Sequence, residues 1–191
     1  MFKLRLCALF IVAAAAVYLD ARAADKDEKK GTVVKLAELN LSSTAPAKWK
    51  SEESAKSVPR MLAQFTLPKI EGEDDAAEVA VSRGGSATAK TMVSAWKHDF
   101  SPPEGKEMDD VAKVTELKVS DLPVAYLDVH GTYNGPPWDS KFKGKKMANF
   151  RLVGVIFEVK GAPPYLIRFL GPEKAVERSK KDFDEWVKAF K

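Results

Sequence analysis

Residues 165–191 read YLIRFLGPEKAVERSKKDFDEWVKAFK. A short apolar run, Tyr165 to Leu170, gives way through Gly171-Pro172-Glu173 to a stretch of different period. Val176, Phe183, Val187 and Phe190 mark one face of a helix, broadened by Trp186, while Lys180, Lys181, Asp182, Asp184 and Glu185 occupy the other. Gly171 offers a permissive cap, Pro172 suits a first helical position, and Glu173 sets an acid where the first-turn amides are unpaired. The pattern predicts a helix docked on a sheet. A helix lying on a membrane is the alternative, but its polar face would carry one sign of charge, and this one mixes signs.

Working outward, Phe150 to Lys160 forms a hairpin with Tyr165 to Leu170 across Gly161-Ala162-Pro163-Pro164. Val124 to Tyr133 and Val111 to Val119 are strands joined by Ser120-Asp121-Leu122-Pro123. Ala89, Met92, Val93, Trp96 and Phe100 then define a first helix, with Ser86 or Thr88 as its N-cap and Pro102-Pro103 as its stop. Alternating apolar positions at Met61 to Leu67 and Ala77 to Val81 make a hairpin around the acidic turn Glu71 to Asp75. Val34, Leu36, Leu39 and Leu41 begin an extended segment before the turn Pro46 to Trp49. The order of strands, helix, strands and helix predicts an α+β domain, an antiparallel β-sheet flanked by helices.

One constellation runs through these elements: Trp49, Arg60-Met61 leading into Phe65-Thr66-Leu67-Pro68, Gly84-Gly85, Trp96, Gly131-Thr132-Tyr133, Gly171-Pro172 and Phe183. Over Leu41 to Phe190 it resembles a family of small exported bacterial proteins of unknown function with a PsbP-like fold. The resemblance implies an α/β/α sandwich, a fold shared with a Ran-binding nuclear-import factor, and binding of other proteins rather than catalysis. The chain departs from the family at Ser94-Ala95-Trp96, where members more often carry Asn and Arg around the tryptophan.

The first 23 residues stand apart from this pattern. Lys3 and Arg5 precede an uncharged stretch from Leu6 to Leu19, and Ala21-Arg22-Ala23 fits a small-x-small cleavage site. Fourteen apolar residues fall short of the roughly 20 that span a bilayer, so the stretch reads as a cleaved signal peptide rather than an anchor, with no stable membrane insertion afterwards. Residues 24–31 form a polar spacer and 32–191 a single domain. The whole chain of 191 residues carries 31 basic and 27 acidic side chains. Loss of Lys3, Arg5, Arg22 and Asp20 leaves 28 against 26, a net charge of +2, which argues against a nucleic-acid partner. The same cleavage removes Cys7, the only cysteine, and with it any disulfide or thiolate chemistry.

Few residues are left to carry a reaction. Asp128 and His130 share a strand face and could form a carboxylate-oriented imidazole, yet they lie about 7 Å apart along the strand, and no nucleophile is spaced to join them. His98 stands beside Asp99 near a helix end, where adjacent side chains diverge. Two isolated histidines without cysteine do not make a zinc site, and the acidic turn lacks the alternation of a calcium loop. Gly84-Gly85-Ser86 belongs to no phosphate-loop pattern. No metal and no cofactor is expected.

The loop from Asn134 to Lys146 is different. Trp138 follows Gly135-Pro136-Pro137 and is flanked by Lys141, Lys143, Lys145 and Lys146, an aromatic with nearby cations on a segment type that often binds. The reading is an exported, noncatalytic binding domain, periplasmic or extracellular, whose partner is an unknown protein or an envelope polymer, with this loop as the contact surface. The alternatives are a hydrolase centred on Asp128 and His130, or a structural envelope protein without a discrete ligand.

Overall fold

The computed structural model describes residues 31–53 and 58–191; the expected leader and its cleavage site lie outside them. A small hairpin, β1 (Val33–Leu36) and β2 (Leu41–Thr44), comes first. It replaces the single extended segment expected there, because residues 37–39 turn as a short 3-10 helix and Asn40 takes a left-handed conformation. The main sheet holds β3 (Lys50–Ser51), β4 (Met61–Thr66), β5 (Glu78–Arg83), β6 (Phe100–Ser101), β7 (Ala112–Val119), β8 (Leu122–Tyr133), β9 (Met147–Val159) and β10 (Ala162–Pro172). Its order is β3-β4-β5-β10-β9-β8-β6, with β7 also beside β8, and every pairing is antiparallel. Helices α1 (Ala89–His98), α2 (Met108–Val111) and α3 (Glu173–Lys188) complete the described residues. The domain is thus α+β, as the residue pattern predicts.

Burial follows the strands' alternation and separates two cores. On one face Phe65, Val79, Val81, Val153, Val155, Ile167 and Phe169 pack under Val176, Phe183, Trp186 and Val187 of α3, with Trp49 and the β1–β2 hairpin at the margin. On the other, Leu127, Val129, Leu152, Ile156, Leu166 and Leu170 meet Trp96 of α1 and Phe142 of the loop after β8. Strand β9 feeds both, so residues 152–157 are buried without a break, the mark of a central strand. Gly154 makes room for α1: a Cβ there would overlap the Trp96 ring.

Strands β8, β9 and β10 begin two or three residues earlier than the sequence reading has them, at Leu122, Met147 and Ala162, and three further boundaries differ in ways that bear on packing. α1 is capped by Thr88, whose side chain accepts from the Thr91 amide, but it ends at His98; Phe100 is buried from strand β6 instead of from the helix. Val111 closes the short α2, started by a capping box of Glu107 and Asp110, and the strand begins one residue later. Strand β10 runs through Gly171, so Pro172 is the N-cap of α3 rather than its first helical residue. Beyond α3, Phe190 remains fully buried, its carbonyl accepting from Ser120 Oγ at 2.7 Å, and Lys191 exchanges two backbone hydrogen bonds with Ser42.

Candidate functional site

Residues 134–146 fold back over the α1 face of the sheet. The loop is tied to itself by main-chain bonds from Gly144 to Gly135, Lys145 to Phe142 and Lys143 to Asp139, at 2.7–2.8 Å. Gly135 is required there: its φ is +54°, and a side chain would collide with the Phe142 carbonyl. Phe142 plugs the loop into the core against Tyr133 and Phe150, with ring centroids 6.1 and 5.4 Å away.

Beneath the loop lies a buried polar cluster. Asp139 accepts from the Tyr133 hydroxyl at 2.8 Å and from the amides of Lys141 and Phe142, both at 3.1 Å. Arg168 Nη1 stands 3.5 Å from the same carboxylate. Arg168 is the charged residue of the apolar run in β10, and Trp138 covers its guanidinium, 4.6 Å from ring centroid to Cζ. The indole covers a largely buried cation yet stays 55% exposed. Burial pushes the Tyr133 phenol well above its ordinary range, so it stays a hydrogen-bond donor.

Asp99, C-cap of α1 and itself buried, adds a second carboxylate. Burial pushes its pKa up to about 6, against the opposing pull of Arg168 and His98. An acid raised in the folded state from 3.8 to about 6 opposes folding when ionised. That cost is complete above about pH 6 and fades as the pH falls toward 3.8. Asp99→Asn should therefore be more stable than the native chain at pH 7.5, by at most about 3 kcal/mol, and the gap should close by pH 4. Urea titrations at the two pH values decide it; a pH-independent gap would refute the assignment.

The lysines divide. Lys141 leans over the Phe142 ring and pairs with Glu78, with Asp75 3.9 Å away, so it ties the loop to β5 and to the acidic turn. Lys143, Lys145 and Lys146 are exposed and, among the described residues, form no ion pair. The turn itself is partly neutralised, since Glu73 also pairs with Lys174.

Asp128 and His130 are not assembled into a dyad. Both oxygens of Asp128 are held by Arg151, at 2.7 Å from Nε and 2.8 Å from Nη2, and Arg151 also binds Glu177 of α3. These bonds raise the arginine's pKa further, against the effect of burial. Next along the strand face, the Tyr126 hydroxyl donates to Asp184 and accepts from Lys180, both at 2.7 Å. Tyr126 and, through Arg151, Asp128 thus seat α3. His98 sits in the last turn of α1, and among the described residues no group of three or more acidic, histidine or cysteine side chains could hold a metal ion. The first-turn amide of Ala89 in α1 is taken by the Glu158 carboxylate at 2.9 Å, where an anion would bind.

Sequence reading missed Arg168 and Asp139, and had Asp99 only as the neighbour of His98 at the helix end. The signal for Arg168 was present: a single charge inside Tyr165–Leu170 must find a buried partner.

No protein-family model matches the chain, and no curated protein matches it in sequence. Solved structures similar to it include PA94, a protein of unknown function from Pseudomonas aeruginosa, at 12% identity and a TM-score of 0.45, covering 83% of this chain and 94% of that one. The cyanobacterial PsbP protein of Synechocystis aligns at 10% identity and TM-score 0.46, over 95% and 98% of the two chains. The Ran-binding protein Mog1p of Saccharomyces cerevisiae does so at 11% and 0.47, over 85% and 95%. None of the three is close enough to bring its partner or activity to this chain. No helix among the described residues is long and apolar enough to cross a membrane.

Proposed function

We propose that the protein is an exported, noncatalytic domain that binds a protein or an anionic envelope polymer through residues 134–146. One observation supports this above the others: Trp138 is exposed although it lies over Arg168, and on the same loop are three lysines that have no counter-charge among the described residues. An aromatic held in place before binding loses little freedom on contact, which favours affinity. The unpaired lysines favour a partner with acidic groups. Lys141 contributes by fixing the loop rather than by touching the partner, since it is already neutralised.

The test is capture from an envelope extract on the protein as isolated from its host, whose first residue should be Ala24 if export removes the leader. Trp138→Ala should weaken retention of the partner by at least about tenfold, and reversal of Lys143, Lys145 and Lys146 to glutamate should do the same. Circular dichroism should be unchanged in both. Retention of the same species by all three proteins would refute the proposal, as would an intact Met1 on protein recovered from the envelope.

A further inference from the structure

Strand β7 borders the main sheet and, among the described residues, pairs with β8 alone. Lys113, Val114, Thr115, Glu116 and Lys118 are exposed along it, Val114 to 50%. The phase of its free backbone groups follows from the hairpin. Ser120 and Asp121 form a two-residue turn, both at positive φ, 43° and 66°, as a type I′ turn requires. The closing pair, Val119 and Leu122, exchanges main-chain hydrogen bonds, and so do the pairs of Leu117, Thr115 and Lys113 with β8. Pro123 agrees with this phase: it lies opposite Lys118, in a pair that needs no N–H from it. The N–H and C=O groups of Val114, Glu116 and Lys118 therefore point away from the sheet.

We infer that this edge is the seam of a symmetric dimer, in which β7 pairs antiparallel with β7 of a second copy. A two-fold axis normal to the sheet sets each residue opposite one from the same face. Centred on Leu117, it brings Glu116 against Lys118 of the second copy, twice over, and Leu117 against its own equivalent. Both charge pairs fall on residues whose backbone groups are free to bond across the seam. Centred on Glu116, the axis would oppose like charges; centred on Thr115, it would set Glu116 against Val114 and make no charge pair. Lysines on an edge normally repel stray strands. Here the alternation of sign makes the copy of β7 a complementary strand. Glu116 has no ion pair among the described residues, and Lys118 reaches only the exposed Asp121 at 2.9 Å, so both are available.

Sedimentation of the protein in the form its host produces, from about 1 μM to about 500 μM, tests this, because a seam of one short strand pair should associate weakly. A monomer–dimer equilibrium is expected. Glu116→Lys or Lys118→Glu alone should raise Kd at least about tenfold by setting like charges opposite at two places. The double reversal should restore the native value. Glu116→Pro, at an outward-facing N–H on an edge, should abolish the dimer while leaving circular dichroism intact. A monomer at every concentration would overturn the inference, including one whose β7 amides are protected from exchange by residues 1–30. So would an association that ignores the single reversals, or one that the double reversal fails to restore.

Discussion

Phe190→Ala should lower the unfolding free energy by about 3–5 kcal/mol, read as a fall in the urea midpoint at constant slope. Phe190 lies past the end of α3 and would pass for a frayed end on helical geometry alone. Its ring is instead fully buried, 5.3 Å from Trp186 and 5.8 Å from Phe157 between centroids. The surrounding walls cannot close on the cavity. On one side the backbone is held by Ser120, on the next by Ser42 through Lys191, and Ser43 Oγ donates to the Trp186 carbonyl at 3.0 Å. Ser120→Ala, which removes a hydrogen bond and no volume of note, should cost only about 1 kcal/mol. If Phe190→Ala cost no more than Ser120→Ala, the segment after α3 would not be part of the core.

Asp139→Ala should cost about 3–5 kcal/mol, because it strands a mostly buried cation as well as a hydroxyl and two amides. The carboxylate is 5% exposed and is the shared acceptor of Tyr133, Lys141 and Phe142, facing Arg168. Asp139→Asn keeps an acceptor for part of this set but loses the charge opposite Arg168, and should fall between the two. A stability effect alone would leave the loop's role open, so the second readout is Trp138 fluorescence. With Arg168 unanchored, the indole loses its fixed platform, and its emission should become more readily quenched by iodide in both variants. Native quenching in Asp139→Ala would mean that the loop holds its shape without the carboxylate.

The elements themselves were legible because each carries its own period. The alternation of Met61–Thr66, the apolar stripe of α3 and the turn at Ser120-Asp121 are local facts, and the structure has each within a residue or two. The neighbour of β5 was not legible: it pairs with β10, far along the chain, and nothing in the alternation of β5 or the apolar run of β10 encodes that choice. The site divides in the same way. Trp138 and the lysines stand out as a loop composition. Arg168, Asp139 and Asp99 come together only through tertiary packing, and Lys141 finds Glu78 at a separation of 63 residues. Asp128 and His130 share a strand face, which made a dyad the alternative reading; the cross-strand neighbour Arg151 holds the carboxylate instead.

The pairing of β5 with β10 has a kinetic side. The β4–β5 hairpin can form early, but its inner edge has no partner until a strand at least 82 residues further on, from Arg83 to Tyr165, has been made and folded back. Closing a loop of that length before any reward is collected makes folding slow. A polypeptide that must be threaded through a narrow translocation channel, as proposed for this one, gains from such a delay, since it is still extended when it arrives.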